Sequence, residues 1–452
     1  MTVPHVSCVV TAYNLERFIG AAVQSALDVD WPEERLEVIV VDDGSTDGTA
    51  AVLAGFGDRI RAIEQPNRGF NAAMSAGIGA ARGDYIAILD GDDEWTRDKL
   101  QTQVRFLESR PAVGLVHGDM EVMGADGHTL HPSFFEHANV SPERGWVLGS
   151  LLRGNFVSGG ASVVRASLRE RFWPIPPEAA YPDWYIASRV AEVAEIDHVD
   201  VSVNRYRRHD ANMGLGQSGD KQARTMRHDA RYIRWMLGHI DTSGTPVHEV
   251  AAGYDALLGN ALGVALHFGG RVEEVFDVSD DDRARSLAVA AQAAAAHLRG
   301  DLDSAARAWI RALALDPWNG LARVELATSL RAIPPQPRRA RTGVVPGVRS
   351  LAVLAFADEL IADPGLLAVY GRSVGGSDDV TLVIQAATTA AREAASALGR
   401  ALEETGLAGA DSADMVLHPC DDPASLAPGL GAVYTRRRLD QPLAALPRLA
   451  TA

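Results

Sequence analysis

The strictest limit on how this chain can fold comes from residues 85–93, which read YIAILDGDD. A continuous apolar run of this length predicts a strand buried on both faces, as in a parallel sheet. Ligands of open α/β sheets bind just beyond the carboxyl ends of the strands, so the three aspartates are expected at the mouth of a cleft. Clustered carboxylates favour a hard divalent cation, Mg²⁺ or Mn²⁺. An isolated D-x-D is more often a solvated acidic turn, so the neighbouring segments decide between the two.

Three earlier segments read as strands followed by polar residues and a helical pattern, the first two as apolar runs and the third as a short strand. They cover residues 6–10, 37–42 and 61–64. Strands that alternate with helices predict βαβ units and a mainly parallel sheet. The ends of three strands then bring polar residues to one rim, namely Thr11 and Tyr13, Asp42 and Asp43, and Asp90 and Asp92.

Taken in order over roughly residues 3–212, these segments resemble the inverting family 2 glycosyltransferases of the GT-A fold. The resemblance implies a GT-A (nucleotide-diphospho-sugar transferase) Rossmann-like α/β domain. It also implies a set of donor-binding residues, with the first four at the nucleotide base: Thr11, Ala12, Tyr13, Asp43, Asn67, Gly69 and Asp90. Asp92 would bind the metal. The alternative for the Asp42-Asp43 pair is local turn chemistry.

Two details of the donor side differ from the family pattern or extend it. The helix after the N-x-G turn has Ala73-Met74-Ser75 where the family often has Ala-Arg-Asn, so one phosphate contact is missing and Arg68 is a possible substitute. Asp93 is expected to cap a helix that starts near Thr96.

The sequence YPDWYIASRV at 181–190 resembles the family segment that carries the catalytic base. Pro182 replaces the usual Glu, but Asp183 keeps the key position. A carboxylate there can accept the proton of an attacking hydroxyl. The alternative is that Asp183 only caps the helix.

Residues 206–212, YRRHDAN, resemble the family's Y-R-x-H-x-x-N segment, which lies over the donor diphosphate. This resemblance makes His209 the second metal ligand, and Arg207 or Arg208 the group that neutralises phosphate. A surface basic loop is the alternative. The following GLGQSG at 214–219 does not open a helix after a strand, so a mobile lid is favoured over a dinucleotide site.

The acceptor is expected between the family's glycine-rich stretch, here residues 154–165, and the polar loop 127–145. Glycines allow a substrate to approach the backbone closely. The loop contains His128, His131 and His137, whose spacing fits neither a helical pair nor a zinc finger, so an acceptor-side loop is favoured.

The second half divides by pattern into three parts. Residues 221–332 are helical, and 300–317 resemble one tetratricopeptide (TPR) repeat, which predicts protein contacts or dimerisation. Residues 333–349 are a linker by their proline and arginine content. Residues 350–452 predict a small Rossmann-like α/β domain. The expected domains are therefore 1–220, 221–332 and 350–452.

Composition limits partners and compartment. A formal charge of −16 and a pI of about 5.3 argue against nucleic acid and anionic membranes. Two cysteines, Cys8 and Cys420, exclude a disulfide framework. The chain shows neither a signal peptide nor an apolar run that could span a bilayer, so a cytoplasmic protein is expected.

The function expected is a metal-dependent inverting transfer of a sugar from a nucleoside diphosphate, with UDP favoured, to the hydroxyl of a glycan, protein or small-molecule acceptor. Two alternatives stay open. A sugar-1-phosphate nucleotidyltransferase would be expected to have a Gly-rich basic loop after its first strand, where this chain has Thr11-Ala12-Tyr13-Asn14. A non-catalytic nucleotide-binding scaffold would not need both Asp92 and Asp183.

Overall fold

The computed structural model describes residues 3–179, 181–209, 220–268, 275–276, 278–334, 336, 351–373, 380–405, 414–419 and 432–433. It divides into two compact units, residues 1–108 with 113–339, and residues 109–112 with 340–452. The expected lid at 214–219, Cys420 and almost all of the expected linker lie outside the described residues.

The strands of the first unit are β1 Val6–Ala12, β2 Leu36–Asp42, β3 Arg61–Glu64, β4 Tyr85–Asp90, β5 Glu94–Trp95, β6 Val113–Gly124, β7 Thr129–His131, β8 Val163–Arg165 and β9 Glu195–Arg208. Its helices are α1 Ile19–Leu27, α2 Thr49–Ala54, α3 Phe70–Ala80, α4 Lys99–Ser109, α5 Phe134–His137, α6 Leu148–Leu151, α7 Arg169–Phe172, α8 Pro182–Ala191, α9 Asp220–His239, α10 Val247–Phe268, α11 Asp280–Leu298, α12 Leu302–Leu315 and α13 Gly320–Ala332.

The nine strands form one mixed sheet in the order β3-β2-β1-β4-β8-β6-β9-β5, with β7 paired to β6. The four strands β1 to β4 are parallel to their neighbours among themselves. Their register places Thr11 beside Asp90 and Ala12 beside Asp42. The predicted parallel arrangement with polar residues on one rim is therefore confirmed for β1 to β4. The sheet as a whole is mixed, because β8, β5 and β7 pair antiparallel with their neighbours.

Strand β4 is buried on both faces, as its apolar run predicts. Ile86 and Ile88 belong to the core on one side of the sheet, and Ala87 and Leu89 to the core on the other. Successive side chains of a strand point to opposite faces, so a strand between two cores must be apolar at every position. This burial fixes where the chain emerges at Asp90.

The prediction that Asp93 caps a helix is wrong. The following helix α4 begins at Lys99. The Asp93 side chain is fully buried and instead accepts hydrogen bonds from Asn204 Nδ2 at 2.9 Å and from the backbone N–H of Arg207 at 2.8 Å. A buried carboxylate needs such donors because water cannot reach it. Asp93 therefore ties the D-G-D turn to the end of β9.

The helices α9 to α13 pack against the sheet domain through one continuous apolar core. Trp184 of α8 contacts Tyr232 of α9 edge to face, with ring centroids 5.0 Å apart. Trp309 of α12 lies in the same cluster and is fully buried. Among the described residues, no helix combines the length and the apolarity that crossing a membrane requires.

The second unit contains a parallel sheet in the order β12-β11-β10-β13, with strands β10 Leu351–Phe356, β11 Val380–Ala386, β12 Asp414–Pro419 and β13 Ala432–Val433. Its helices are α14 Ala357–Ala362, α15 Gly365–Ser373 and α16 Ala391–Glu404. The small α/β unit predicted for the end of the chain is present.

Candidate active site

A cavity of about 770 Å³ opens at the carboxyl ends of β1 and β4. Most of the site residues selected from the sequence line this cavity. They are Thr11, Ala12, Tyr13, Asp43, Asn67, Gly69, Asp90, Asp92 and Asp183. Asp92 and Asp183 therefore face one shared space, which is what a metal site and a proton acceptor in a single reaction require.

The D-G-D turn is shaped by a close approach of two strand ends. A Cβ on Gly91 would lie 2.5 Å from the backbone oxygen of Thr11, so only glycine fits between the two aspartates. Burial, followed by the charges of Asp92 and then Asp183, raises the pKa of Asp90 to about 7. The Asp90 carboxyl thus lies within electrostatic range of both other carboxyls.

Asp92 and His209 form a pair of donor atoms suited to a divalent cation. Oδ2 of Asp92 lies 2.9 Å from Nε2 of His209. Octahedral ligands about 2.1 Å from a metal lie about 3 Å apart when they are at right angles, so this spacing fits two cis ligands. The ring of His209 packs on Phe18, with centroids 4.7 Å apart. Phe18 thereby holds the imidazole beside Asp92, a role that the sequence did not indicate.

In the described part of the chain, Asp92 and His209 are not joined by a third His, Cys, Asp or Glu side chain that could complete a metal site. No group of three or more His, Cys, Asp or Glu residues there is arranged to hold a metal. Magnesium sites often use only one or two protein ligands together with water and substrate phosphates. The Asp92–His209 pair fits a cation that is completed by a bound diphosphate.

Asp43 is oriented by three hydrogen bonds. Its Oδ1 accepts from Gln65 Nε2 at 2.7 Å and from the N–H of Arg68 at 2.9 Å, and its Oδ2 accepts from the N–H of Gly69 at 2.8 Å. A carboxylate oxygen can accept more than one hydrogen bond, so Oδ2 keeps capacity for a nucleobase N–H. Gly69 has a φ of +87°, a conformation in which glycine carries no steric penalty. The neighbouring Tyr13 is exposed, so its ring can stack on a base.

Asp183 lies in the first turn of α8, whose cap residue is Tyr181. The alternative that Asp183 is only a helix cap is therefore wrong. Its Oδ1 accepts from the N–H of Trp184 at 2.6 Å and its Oδ2 from the N–H of Gly159 at 3.3 Å. Burial raises the pKa of Asp183 to about 6, and these hydrogen bonds limit the rise. Such a carboxyl is ionised at neutral pH and basic enough to take a proton.

Asn155 is a site residue that sequence reasoning missed. Its side chain hydrogen-bonds Asp183 and helps to hold the pKa of that carboxyl down. Its Oδ1 accepts from the N–H of Val157 at 3.0 Å, which leaves the amide NH₂ to donate toward Asp183. It lies at the start of the glycine-rich stretch 154–165, and its position in that stretch is the one sequence signal that could have indicated a site residue here.

The two candidate phosphate-binding arginines are placed differently from the aspartates. Nε of Arg207 donates to the backbone oxygen of Asp92 at 2.8 Å, and its Nη2 pairs with Glu94. Its guanidinium also lies 5.2 Å from the ring centroid of Phe18. Arg208 is half-buried, and neither arginine lines the cavity. Arg207 thus braces the D-G-D turn, and phosphate binding by either arginine stays a prediction.

Comparison with known proteins identifies the domain that carries this cavity. Residues 7–172 match the family model Glycosyl transferase family 2. The chain has a family 2 glycosyltransferase domain. Over residues 7–172 this confirms the resemblance inferred from the motifs, and the GT-A-like mixed sheet with the helical region that follows it agrees. The segments that contain Asp183 and His209 lie beyond the matched residues.

Two curated relatives illustrate the match. An uncharacterized glycosyltransferase of Nostoc sp. is 29% identical over 216 residues, 46% of this chain and 66% of its own length. The succinoglycan biosynthesis protein ExoO of Rhizobium meliloti is 42% identical over 132 residues, 28% of this chain and 36% of its own length. The chain spans less than two thirds of the length of either relative, so their similarity describes the family 2 domain and not a whole protein.

Two solved structures are also similar at a low level. The mannosyltransferase PcManGT of Pyrobaculum calidifontis, in complex with GDP-Man and Mn²⁺, has 19% identity and a TM-score of 0.45, covering 72% of this chain and 88% of its own. S. aureus TarS 1–349 in complex with UDP-GlcNAc has 17% identity and a TM-score of 0.42, covering 76% and 95%. Scores of this size support no functional assignment.

Proposed function

We propose that the family 2 domain is a metal-dependent inverting glycosyltransferase that moves a sugar from a nucleoside diphosphate to an acceptor hydroxyl. The observation that carries this proposal is the shared cavity, into which Asp92 and Asp183 both open. A divalent cation, Mn²⁺ or Mg²⁺, would be held by Asp92 and His209, where it would offset the negative charge of the leaving diphosphate.

We propose a uridine nucleotide as the donor. The Asp43 carboxylate suits the N3–H of uracil, and its orientation is fixed by hydrogen bonds from Gln65, Arg68 and Gly69. The exposed ring of Tyr13 would stack on the base. Asp90 would face the ribose or the diphosphate, next to Thr11 in the adjacent strand.

Asp183 is the proposed general base. It would take the proton from the acceptor hydroxyl as the oxygen attacks the anomeric carbon from the side opposite the diphosphate, so the configuration inverts. Asn155 and the N–H groups of Trp184 and Gly159 hold the carboxylate in place. A positioned base of this kind contributes about 10²–10⁴-fold to rate.

The test is to measure nucleoside diphosphate release from a panel of nucleotide sugars, with and without Mn²⁺, for the wild type and for Asp183→Asn. We expect metal-dependent release by the wild type, and release slower by about 10²–10⁴-fold in the variant with donor binding retained, because the base also activates water as the acceptor. Asp58→Asn on the exposed surface is the matched control. Release by Asp183→Asn at near wild-type rate would show that this aspartate is not the base.

The domain limits at 220 and 332 and the TPR-like character of the helical region are also proposals. Support for the TPR-like character comes from α12, which starts with Asp301 as its cap and buries Trp309 and Ala312. We propose that this region contacts a protein partner or a second copy of the chain, and light scattering of the full chain tests the second possibility.

A further inference from the structure

The part of the cavity near Asp183 has an apolar wall formed by three phenylalanines. Phe134, Phe135 and Phe156, named here the aromatic wall, line the cavity together with Met120, Ala138, Val140 and Val157. Phe156 and Val157 lie in the loop that contacts Asp183 through the N–H of Gly159. In the same loop, Ser158 Oγ lies 3.1 Å from Met120 Sδ. The wall is therefore continuous with the surroundings of the proposed base.

The aromatic wall is held in place from behind. Asp119 Oδ1 accepts hydrogen bonds from the N–H groups of Phe134 and Phe135, each at 3.0 Å. The fully buried ring of His117 lies 6.0 Å from Phe135 and 6.1 Å from Phe156 between ring centroids. A surface anchored in this way needs little rearrangement before it binds a ligand, which reduces the entropy lost on binding.

The charges around the cavity restrict the ligand further. Among the described residues that line it, the charged side chains are Asp43, Asp90, Asp92 and Asp183, and no Lys, Arg or His takes part. An anionic group beside Asp183 would meet like charges with no lining cation in the described part of the chain. The side chains of Phe, Met and Val also offer no strong hydrogen bonds to a second polar sugar ring.

We propose that the acceptor is an uncharged alcohol with an apolar group beside its reacting hydroxyl, and that this group packs on the aromatic wall. The inference rests on the proposed glycosyl transfer and specifies the substrate class of the same site. An aryl group and an alkyl chain are two sources of such an apolar group, and the experiment separates them.

The experiment uses the full chain with the nucleotide sugar that it hydrolyses fastest in Mn²⁺. Four probes are titrated, p-nitrophenyl, octyl and methyl β-glucoside and glucose 6-phosphate, and the half-effect concentration of each on nucleoside diphosphate release is recorded. We expect the p-nitrophenyl or octyl probe to act at a concentration at least about tenfold below that of the methyl probe, because a buried apolar group gains that much affinity. Glucose 6-phosphate should be weakest. The better of the two apolar probes identifies the source.

Phe156→Ala is compared with Phe156→Leu, which keeps an apolar side chain, and with Leu287→Ala on the exposed surface of α11. Phe156→Ala should raise the half-effect concentration of the apolar probe about tenfold and leave that of the methyl probe in place. If Phe156→Ala does not fold, the wild-type comparison decides alone.

The possible failures are distinguishable. Absence of hydrolysis with every nucleotide sugar contradicts the proposed function. Three results overturn only the inference about the acceptor, provided that a nucleotide sugar is hydrolysed. They are equal half-effect concentrations for the apolar and methyl probes, a lowest half-effect concentration for glucose 6-phosphate, and no effect of any probe.

Discussion

Oδ2 of Asp92 and Nε2 of His209 lie 2.9 Å apart, although 117 positions separate the two residues in the chain. Asp92 follows β4, and His209 follows β9 directly. The backbone N–H of Arg207 donates a hydrogen bond to Oδ1 of Asp93 and so joins these two strand ends. Two ligand types that suit Mn²⁺ are thereby combined at the sheet edge.

Asp92→Asn and His209→Ala should each abolish metal-dependent donor binding. Loss of a residue that only orients a metal ligand typically weakens metal affinity by roughly 10–100-fold. Loss of a direct ligand should weaken it by at least as much. Titration calorimetry of UDP with and without Mn²⁺ measures the effect, with Asp58→Asn as the control. Unchanged Mn²⁺-dependent affinity in both variants would contradict the assignment of the pair.

The rate of transfer should depend on the ionisation of Asp183. Since the base must be a carboxylate and burial raises its pKa to about 6, kcat/KM should rise with pH up to about 6 and then level off. Asn155→Ala removes a hydrogen bond that lowers this pKa, so the midpoint should move above 6. Asn260→Ala on α10 is the control, because within the described residues its side chain hydrogen-bonds inside that helix, from Nδ2 to the backbone oxygen of Ala256. The same midpoint in Asn155→Ala and wild type would argue against a positioning role for Asn155.

Asp183→Asn should stabilise the fold at neutral pH. Between about pH 3.8, which is the ordinary pKa of the group, and about pH 6, Asp183 keeps its proton in the folded protein and loses it in the unfolded chain. The folded state therefore binds more protons in this window, and this group lowers the free energy of unfolding as pH rises through it. The pKa difference corresponds to at most about 3 kcal/mol.

An amide oxygen can accept fewer hydrogen bonds than two carboxylate oxygens, so the net gain from Asp183→Asn is expected to be about 1–2 kcal/mol. Urea unfolding of both proteins between pH 4 and pH 8, about the range over which such a group titrates, measures it. A variant that is less stable than the wild type at the upper end of this range would refute the burial argument.

Gly91→Ala should damage both stability and donor binding. The added Cβ would lie 2.5 Å from the backbone oxygen of Thr11, so β1 and β4 must separate at their ends. Overpacking of this kind costs about 1–3 kcal/mol. Gly320→Ala is the control, since its Cβ would meet no atom within 4 Å. Thermal unfolding compares the two, and equal midpoints would mean that the strand ends adjust without cost.

Local pattern predicted the scaffold of the site well, because the relevant forces act along single segments. The apolar run that ends at Asp90 requires burial on both faces, and parallel strands bring their carboxyl ends to one edge. Thr11 and Asp90 therefore became neighbours, as expected. Asp183 was selected through its resemblance to a family motif, and the structure places it in the shared cavity.

The rest of the site depends on contacts that sequence spacing does not encode. Asn155 and the aromatic wall lie in loops and one short helix, where no periodicity marks the side that faces the cavity. Arg207 was proposed as a phosphate ligand through the resemblance of residues 206–212 to a family segment, and that role stays a prediction. Its pairing with Glu94 follows from the pairing of β9 with β5, which the sequence did not indicate. Asp93 was taken for a helix cap because its burial could not be predicted.

The contact between Trp184 and Tyr232 limits how the sheet domain could be separated from the helices α9 to α13 or combined with other helices. Trp184 follows the proposed base directly in α8, and Tyr232 belongs to the helical region. A shortened protein that ended before α9 would remove the Tyr232 ring and leave the Trp184 indole, next to the proposed base, without this packing partner. Another transferase domain that received these helices would need a side chain of similar size at the position of Trp184, because a smaller one would leave a cavity against Tyr232.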